Sequence, residues 1–136
     1  EKEVTLNADQ GQLQQIVLNL YNNARDAMPD GGSLKISTGC CQLTGMESDL
    51  PLEIPPGRYM RLTVEDTGNG IDDCNMEKIF DPFFTTKEVG KGTGLGLSMV
   101  FGIVKQHKGY IKVRSTPGCG TRISIWLPEL VREVSP

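Results

Sequence analysis

The stretch GKGTGLGLSMV, residues 90–100, places a glycine at every second position before an apolar run begins. Glycine is costly to order, so this density indicates backbone that bends unusually or lies very close to another group. Downstream, Leu97, Val100, Phe101 and Val104 recur at helical spacing, which predicts a helix. Glycine-rich backbone at the start of a helix presents N–H groups and the positive end of the helix dipole, and both favour an anion such as phosphate.

Two well-known phosphate-binding motifs do not fit this stretch. A P-loop requires Ser or Thr directly after its lysine, whereas Lys91 is followed by Gly92. The dinucleotide-binding fingerprint requires GxGxxG after a strand, whereas Gly92, Gly94 and Gly96 give GxGxG with no strand before them. Alone, the stretch is equally compatible with a flexible glycine hinge, and other parts of the sequence are needed to distinguish this hinge from an anion-binding loop.

A predicted helix over residues 12–28 carries asparagines beside its apolar stripe. The stripe consists of Leu13, Ile16, Val17, Leu20, Ala24 and Ala27. Asn19 and Asn23 are one turn apart and therefore share a face of the helix. Asparagine is a weak helix former. The pair is either part of a solvated face or a set of amide oxygens directed at a cation or a phosphate, and Mg²⁺ accepts such oxygens.

The stretch EDTGNGI, residues 65–71, follows a predicted strand over residues 58–66. Asp66 ends that strand, and its carboxylate can accept a hydrogen bond from an exocyclic amino group. Gly68 and Gly70 lack the side chains that would block a planar ring. An ordinary Asp-Thr-Gly turn is the alternative. Taken together, a carboxylate for adenine, amides for Mg²⁺ and glycine-rich backbone for phosphates make up one ATP site.

Length and composition predict a single globular domain, residues 1–136. Apolar residues make up 38% and charged residues 23% of the chain, as in ordinary soluble proteins. The net charge of −3 disfavours nucleic-acid binding, and no apolar run is long enough to span a membrane. The four cysteines form no CxxC pair and the single histidine is far from them, so we expect reduced thiols rather than a zinc site.

The order of elements predicts the fold class. A short strand at residues 4–7 precedes the first helix, and two strands follow it, paired as a hairpin around a surface loop at about residues 43–57. A glycine turn, a short helical turn and an irregular stretch lead to the second helix and a final pair of strands. This order predicts an α+β fold. We expect a two-layer α/β sandwich with a mixed, mostly antiparallel sheet covered on one face by about three helices.

Five motifs resemble those of the ATP-binding catalytic domain of sensor histidine kinases, in the superfamily that also holds gyrase B, Hsp90 and MutL. They are QQIVLNLYNNARDAM (14–28), DTGNGI (66–71), IFDPFFTTK (79–87), GKGTGLGLSMV (90–100) and GCGT (118–121). In order and spacing they are similar to the family's N box, first glycine box, F box, second glycine box and last glycine box. The resemblance extends from about Leu6 to Pro128 and implies the Bergerat-type ATP-binding fold.

The resemblance implies that the chain binds ATP and Mg²⁺. By position, Asn23 would be the magnesium ligand, with Asn19 near the phosphates. Asp66 would bind the adenine amino group, and Thr121 would help to fix the adenine. The other implied ATP contacts are Gly68, Gly70 and Ile71 around the base and Gly92, Thr93, Gly94, Leu95, Gly96 and Leu97 at the phosphates. Residues from about 72 to 92 would form a mobile ATP lid.

One position of the N box departs from the family pattern. Many members carry Lys or Arg three residues after the magnesium Asn, where this chain has Asp26. We keep Asp26 among the ATP-binding positions and expect Lys87 or Lys91 to supply the missing cationic contact. His107 is expected to have a structural or surface role, because the family's phosphoacceptor histidine lies in a separate helical-hairpin domain.

The implied activity is transfer of the γ-phosphoryl group of ATP to a histidine on that dimerisation and phosphoacceptor domain, with a response regulator or receiver domain downstream. We expect a cytoplasmic location, either free or as part of a membrane-bound sensor, with no nucleic-acid partner and no direct membrane contact. Two alternatives remain. A gyrase-like hydrolysing clamp would need a Glu base where this chain has Asn19. A non-catalytic nucleotide sensor would show eroded motifs, and Asp26 is the one departure.

Overall fold

A computed structural model describes residues 10–44, 54–81 and 96–128 of the chain. The elements within these ranges are α1 (Gln10–Ala27), β1 (Leu34–Leu43), β2 (Gly57–Asp66), one 3-10 turn (Asp73–Asn75), α2 (Gly96–Gln106), β3 (Tyr110–Thr116) and β4 (Gly120–Pro128). Their order is the one expected from the sequence. The strand expected at residues 4–7 lies outside the described residues. Across the described ranges, no helix has the length and apolar character needed to cross a bilayer.

The four strands form one sheet in the order β1-β2-β4-β3, with every neighbouring pair antiparallel. The hairpin of β1 and β2 is confirmed: it runs from Leu34 opposite Asp66 to Leu43 opposite Gly57. The α+β class is also confirmed. Two α-helices and one 3-10 turn are described where about three helices were expected, and the described strands contain no parallel pair.

The two helices pack on one face of the sheet and enclose the main core. Its buried members are Ile16 and Leu20 of α1, Val100 and Val104 of α2, and Leu62, Val64, Ile123, Ile125 and Leu127 of the sheet. The helical spacing of the apolar residues brings one stripe of each helix onto the strands. Complete burial of a side chain of this size contributes about 1.5–3 kcal/mol. This core therefore fixes α1 and α2 against the sheet that carries the site.

A second, smaller cluster lies on the opposite face of the sheet. Leu43, Ile54, Tyr59 and Trp126 are buried there together, and the ring of Tyr59 meets that of Tyr110 edge-on with centroids 6.4 Å apart. The Tyr59 hydroxyl donates a hydrogen bond of 2.7 Å to the carbonyl of Pro55. Burial raises the pKa of Tyr59 above its ordinary value, and the neighbouring Tyr110 and Cys41 raise it further.

Candidate nucleotide site

A row of polar side chains continues the helix-covered face of the sheet beyond its last apolar row. Val64 of β2 pairs with Ile123 of β4 in that apolar row; two residues further on, Asp66 pairs with Thr121, and Thr121 pairs with Ser115 of β3. Side chains two residues apart on a strand point to the same face. The carboxylate and the two hydroxyls therefore project from the same face as the core.

The glycine turn after β2 is held between the end of α1 and the turn that joins β3 to β4. Oδ1 of Asp66 accepts a hydrogen bond of 2.9 Å from the N–H of Gly68. The N–H of Asn69 donates to the carbonyl of Ala27 at 2.9 Å, and the carbonyl of Asn69 accepts from the N–H of Gly118 at 2.7 Å. Because a carboxylate has two oxygens, Asp66 keeps acceptor capacity on Oδ2 while Oδ1 supports the turn.

Close backbone contacts account for both glycines of this turn. A Cβ at Gly68 would overlap the carbonyl oxygen of Ala27, and a Cβ at Gly70 would overlap that of Thr116. Gly70 also has a φ of +73°, in the left-handed region that favours glycine. These contacts explain the glycines without a ligand. Clearance for a planar ring, the reason drawn from the sequence, stays a prediction.

Ser115 is the residue that sequence reasoning missed at this end of the site. Its Oγ accepts a hydrogen bond of 2.6 Å from the N–H of Ile71 and donates one of 3.0 Å to the carbonyl of Gly120. It also lies 2.9 Å from Oγ1 of Thr121. One hydroxyl thus joins the glycine turn, the β3–β4 turn and the expected adenine-fixing threonine. No motif singles out a lone serine within a strand, so the sequence carried no signal for this role.

The other end of the site lies between α1 and the beginning of α2. Nδ2 of Asn19 donates a hydrogen bond of 3.3 Å to the carbonyl of Gly96, the first residue of α2. Oδ1 of Asn19 in turn accepts one of 2.9 Å from Nε2 of Gln15, one turn earlier. Asn19 therefore ties the first helix to the start of the second.

The amide of Asn23 lies one turn further along α1, against the same glycine. In the described part of the chain, Nδ2 of Asn23 is buried and makes no hydrogen bond. A Cβ at Gly96 would come within 3.6 Å of Oδ1 and 3.7 Å of Nδ2 of this amide, so glycine leaves a gap there. A buried polar atom without a partner costs about 1–3 kcal/mol. Among the described residues, this nitrogen is therefore a donor left without an acceptor beside the start of α2.

The two ends of the site are joined along the last turn of α1. Asn23 precedes Ala27 by four residues, which is a rise of about 6 Å along a helix. Ala27 contacts the glycine turn beside Asp66. The structure therefore brings together Asn19, Asn23, Asp66, Gly68, Gly70, Ile71, Gly96 and Thr121 of the predicted ATP-binding set.

Two further members of the predicted set take other positions. Leu97 packs against the main core, so it anchors the start of α2. The exposed side chain of Asp26 has its Oδ1 3.9 Å from Nε of Arg25, at the last turn of α1. The remaining predicted positions, Lys87, Lys91, Gly92, Thr93, Gly94 and Leu95, lie outside the described residues.

The beginning of the stretch expected to form a lid is packed against α2. Ile79 is 6% exposed, and the ring centroid of Phe80 lies 5.0 Å from that of Phe101. The described part of this stretch ends at Asp81. A mobile lid over residues 72–92 stays a prediction, and its first ten residues include these two packed side chains.

His107 follows the end of α2, at the end opposite Gly96. Its Nδ1 lies 2.7 Å from the carbonyl oxygen of Ile103, and because a carbonyl only accepts, Nδ1 carries the proton. The eleven residues of α2 span about 16 Å. His107 therefore supports the end of its helix and lies far from the expected phosphate position.

Comparison with known proteins matches residues 8–131 to the family described as histidine kinase-, DNA gyrase B- and HSP90-like ATPases. The chain is 51% identical to the sensor kinase CckA of Brucella abortus over 93% of its own length and 13% of the relative's. It is 40% identical to sporulation kinase A of Bacillus subtilis, over 93% of this chain and 18% of the relative. The chain thus spans less than a fifth of these two relatives.

Two solved structures share the fold of this chain. The mycobacterial sensor histidine kinase MprB superposes with a TM-score of 0.70 at 28% identity, over 91% of this chain and 76% of that one. Full-length ShkA in complex with AMPPNP gives a TM-score of 0.72 at 26% identity, over 96% of this chain and 24% of that one. With a family match over most of its length, the chain belongs to the histidine kinase-, DNA gyrase B- and HSP90-like ATPases, and it is an ATPase domain of the sensor histidine kinase type.

Proposed function

We propose that this domain binds ATP together with Mg²⁺ and supplies the γ-phosphoryl group to a histidine on another domain. The observation that carries the proposal is Nδ2 of Asn23, a buried donor beside the start of α2 that has no hydrogen-bond partner among the described residues. The pair of Asp66 and Thr121 lies at the ends of β2 and β4. The glycine turn that follows Asp66 contacts Ala27, which is one turn beyond Asn23 on α1. One polar ligand with an amino-bearing ring at one end and anionic oxygens at the other would satisfy both.

The base is assigned to the Asp66 end. Oδ2 of Asp66 is suited to accept a hydrogen from the 6-amino group of adenine, while Oδ1 keeps its bond to Gly68. Thr121, 8% exposed and directly opposite Asp66, is suited to contact the same edge of the base. The structure of ShkA, which has a similar fold, contains the adenine nucleotide analogue AMPPNP, and this supports an adenine nucleotide as the ligand here.

The phosphates are assigned to the start of α2. The first N–H groups of an α-helix have no partner within the helix, and together with the helix dipole they favour anionic oxygens. The donor set beside it fits Mg²⁺, since a neutral amide oxygen can share an octahedral shell with water and phosphate oxygens. Asn23 would hold that ion, with Asn19 beside it. When bound, Mg²⁺ neutralises charge on the β- and γ-phosphates.

Transfer to histidine is favoured over hydrolysis by the chemistry of Asn19. Hydrolysis needs a general base near the attacking water, and an amide cannot take up a proton at neutral pH. Phosphoryl transfer to an incoming imidazole depends mainly on positioning and electrostatic stabilisation. We propose that the imidazole belongs to a dimerisation and phosphoacceptor domain of the same kinase, and that a response regulator or receiver domain takes the phosphoryl group next.

The binding part of the proposal is tested by calorimetric titration of Mg·ATP into the wild type, Asn23→Ala and the matched control Asn22→Ala. Asn22 neighbours Asn23 on α1 but takes no part in the site as described. We expect Asn23→Ala to abolish Mg²⁺-dependent binding while circular dichroism reports an intact fold. The control should bind as the wild type does. Unchanged Mg·ATP binding by Asn23→Ala would remove the metal assignment.

The transfer part is tested with γ-labelled ATP. The domain alone should acquire no label, because reacting atoms must approach to about 3–3.5 Å and His107 is about 16 Å from the start of α2. Addition of the kinase's own helical-hairpin domain should yield acid-labile, base-stable label on that domain. Such label on the isolated domain, lost in His107→Ala, would contradict both the transfer route and the structural role of His107.

A further inference from the structure

We infer that Ser115 fixes the Thr121 hydroxyl as a hydrogen-bond acceptor and thereby makes the base site select a 6-amino over a 6-oxo purine. Ser115 is thus a positioning residue that acts through Thr121. The inference rests on the proposed binding of ATP and adds to it the origin of base selectivity.

The argument begins with the protons available to Ser115. A hydroxyl has one hydrogen to donate and two lone pairs that accept. The N–H of Ile71, at 2.6 Å, can only donate, so it uses one lone pair of Oγ. The carbonyl of Gly120, at 3.0 Å, can only accept, so it takes the one hydrogen. The second lone pair is then all that Ser115 has left for its third contact.

That third contact sets the direction of the Thr121 hydroxyl. Oγ1 of Thr121 lies 2.9 Å from Oγ of Ser115, and distance alone would allow either to donate. Since the hydrogen of Ser115 is committed to Gly120, Thr121 must be the donor. Its hydrogen is therefore directed at Ser115, and only lone pairs of Thr121 remain for a ligand.

The neighbour of Thr121 on the other side is also an acceptor. Asp66 lies directly opposite Thr121 in the pairing of β2 with β4, and an ionised carboxylate has no hydrogen to donate. Two acceptors side by side suit an amino group, directly or through a water that both of them orient. Adenine carries an amino donor at position 6, whereas a 6-oxo purine carries an acceptor there. The 6-oxo group would face oxygen lone pairs without a hydrogen between them.

Removal of the Ser115 hydroxyl frees the Thr121 hydroxyl to rotate. Its hydrogen can then turn toward a 6-oxo group, so the penalty against that group falls. The same substitution takes the acceptor from the N–H of Ile71 and loosens the glycine turn, which weakens all purine nucleotides alike. The ratio of two affinities therefore separates positioning from general support of the site.

The test measures dissociation constants for Mg·ATP and Mg·ITP by calorimetry. Inosine triphosphate carries the 6-oxo group and a hydrogen on N1 but lacks the 2-amino group of guanine, so it confines the change to the N1–C6 edge that faces Asp66 and Thr121 in the proposed site. We expect the wild type to prefer ATP and Ser115→Ala to reduce that preference about tenfold, the effect of one hydrogen bond. Ser115→Thr, which keeps a hydroxyl, should restore the preference. The matched control Ser124→Ala, on the opposite face of β4, should leave it unchanged.

A second variant guards against unfolding of Ser115→Ala. Ser115→Cys keeps the side-chain volume but is a weak donor and acceptor. A double variant with Thr121→Val supplies an independent check: if Ser115 acts through Thr121, adding Ser115→Ala to Thr121→Val should leave the ATP to ITP ratio where Thr121→Val alone puts it.

Each outcome decides a different statement. Equal weakening of ATP and ITP by both Ser115→Ala and Ser115→Cys, with an unchanged ratio, overturns the inference and leaves ATP binding intact. If the wild type binds ATP no more tightly than ITP, the inference is likewise overturned and ATP binding is left intact. Wild-type protein that binds neither nucleotide overturns the proposed function and the inference with it.

Discussion

Replacement of Asp66 by asparagine separates the two tasks assigned to its carboxylate. Asparagine keeps an oxygen that can accept the 2.9 Å bond from Gly68, so the turn should survive. The second oxygen becomes an N–H₂ group, which turns a donor toward the amino group of adenine. Loss of a hydrogen bond to a charged group costs about 1.5–3 kcal/mol, which corresponds to an increase in Kd of about 10- to 150-fold.

Calorimetry with Mg·ATP and thermal denaturation should be run side by side on Asp66→Asn and Asp66→Ala. We expect both variants to lose ATP affinity. Only Asp66→Ala should also lose about 1 kcal/mol of folding stability, because it removes the bond that closes the turn. The reasoning fails if Asp66→Asn binds ATP as tightly as the wild type, or if it is destabilised as much as Asp66→Ala.

Two further predictions concern stability. Gly68→Ala should reduce the free energy of unfolding by about 1–3 kcal/mol, because its Cβ would overlap the carbonyl of Ala27. Gly102→Ala, in open space on α2, should raise the free energy of unfolding by about 0.5–1 kcal/mol. Urea denaturation of both variants would show whether the two effects have opposite signs. Tyr59→Phe loses the bond to Pro55 and should be about 1 kcal/mol less stable than the wild type at pH 7.5. Because the folded-state pKa of Tyr59 is raised above 10.0, the extra stability of the wild type over Tyr59→Phe should be complete below pH 10 and shrink as the pH rises through the raised pKa. If urea titrations between pH 7.5 and pH 11 give the same difference in unfolding free energy at every pH, this prediction is wrong.

Local patterns were sufficient for the described helices and strands. The apolar stripe of α1 predicted the helix and most of its packed side: Ile16 and Leu20 are almost completely buried, whereas Val17 of the same stripe is 38% exposed. The asparagines beside the stripe were predicted for the same reason, since residues one turn apart must share a face. The sequence also predicted that Asp66 ends β2, because the strand-like alternation of residues stops there.

Register and long-range packing were beyond those patterns. Ser115 acquires its role because it is opposite Thr121 and within reach of Ile71, 44 positions away along the chain. Tyr59 and Trp126 are buried on the face opposite α1 and α2 because they pack there with Ile54 and Leu43. Alternation along a strand defines two faces but does not reveal what lies over each.

The position of β4 in the sheet has a consequence for the synthesis of this protein. β4 (Gly120–Pro128) pairs with β2 on one side and β3 on the other, and it contributes three buried residues to the main core. Of the described elements, a nascent chain that ends before β4 contains the β1–β2 hairpin, both helices and β3, but it lacks the strand that joins β3 to β2. Its closing contacts join residues more than fifty positions apart, a topology that slows folding. We therefore expect the apolar stripes of α1 and α2 to stay partly uncovered during synthesis until β4 has left the ribosome and paired with β2 and β3.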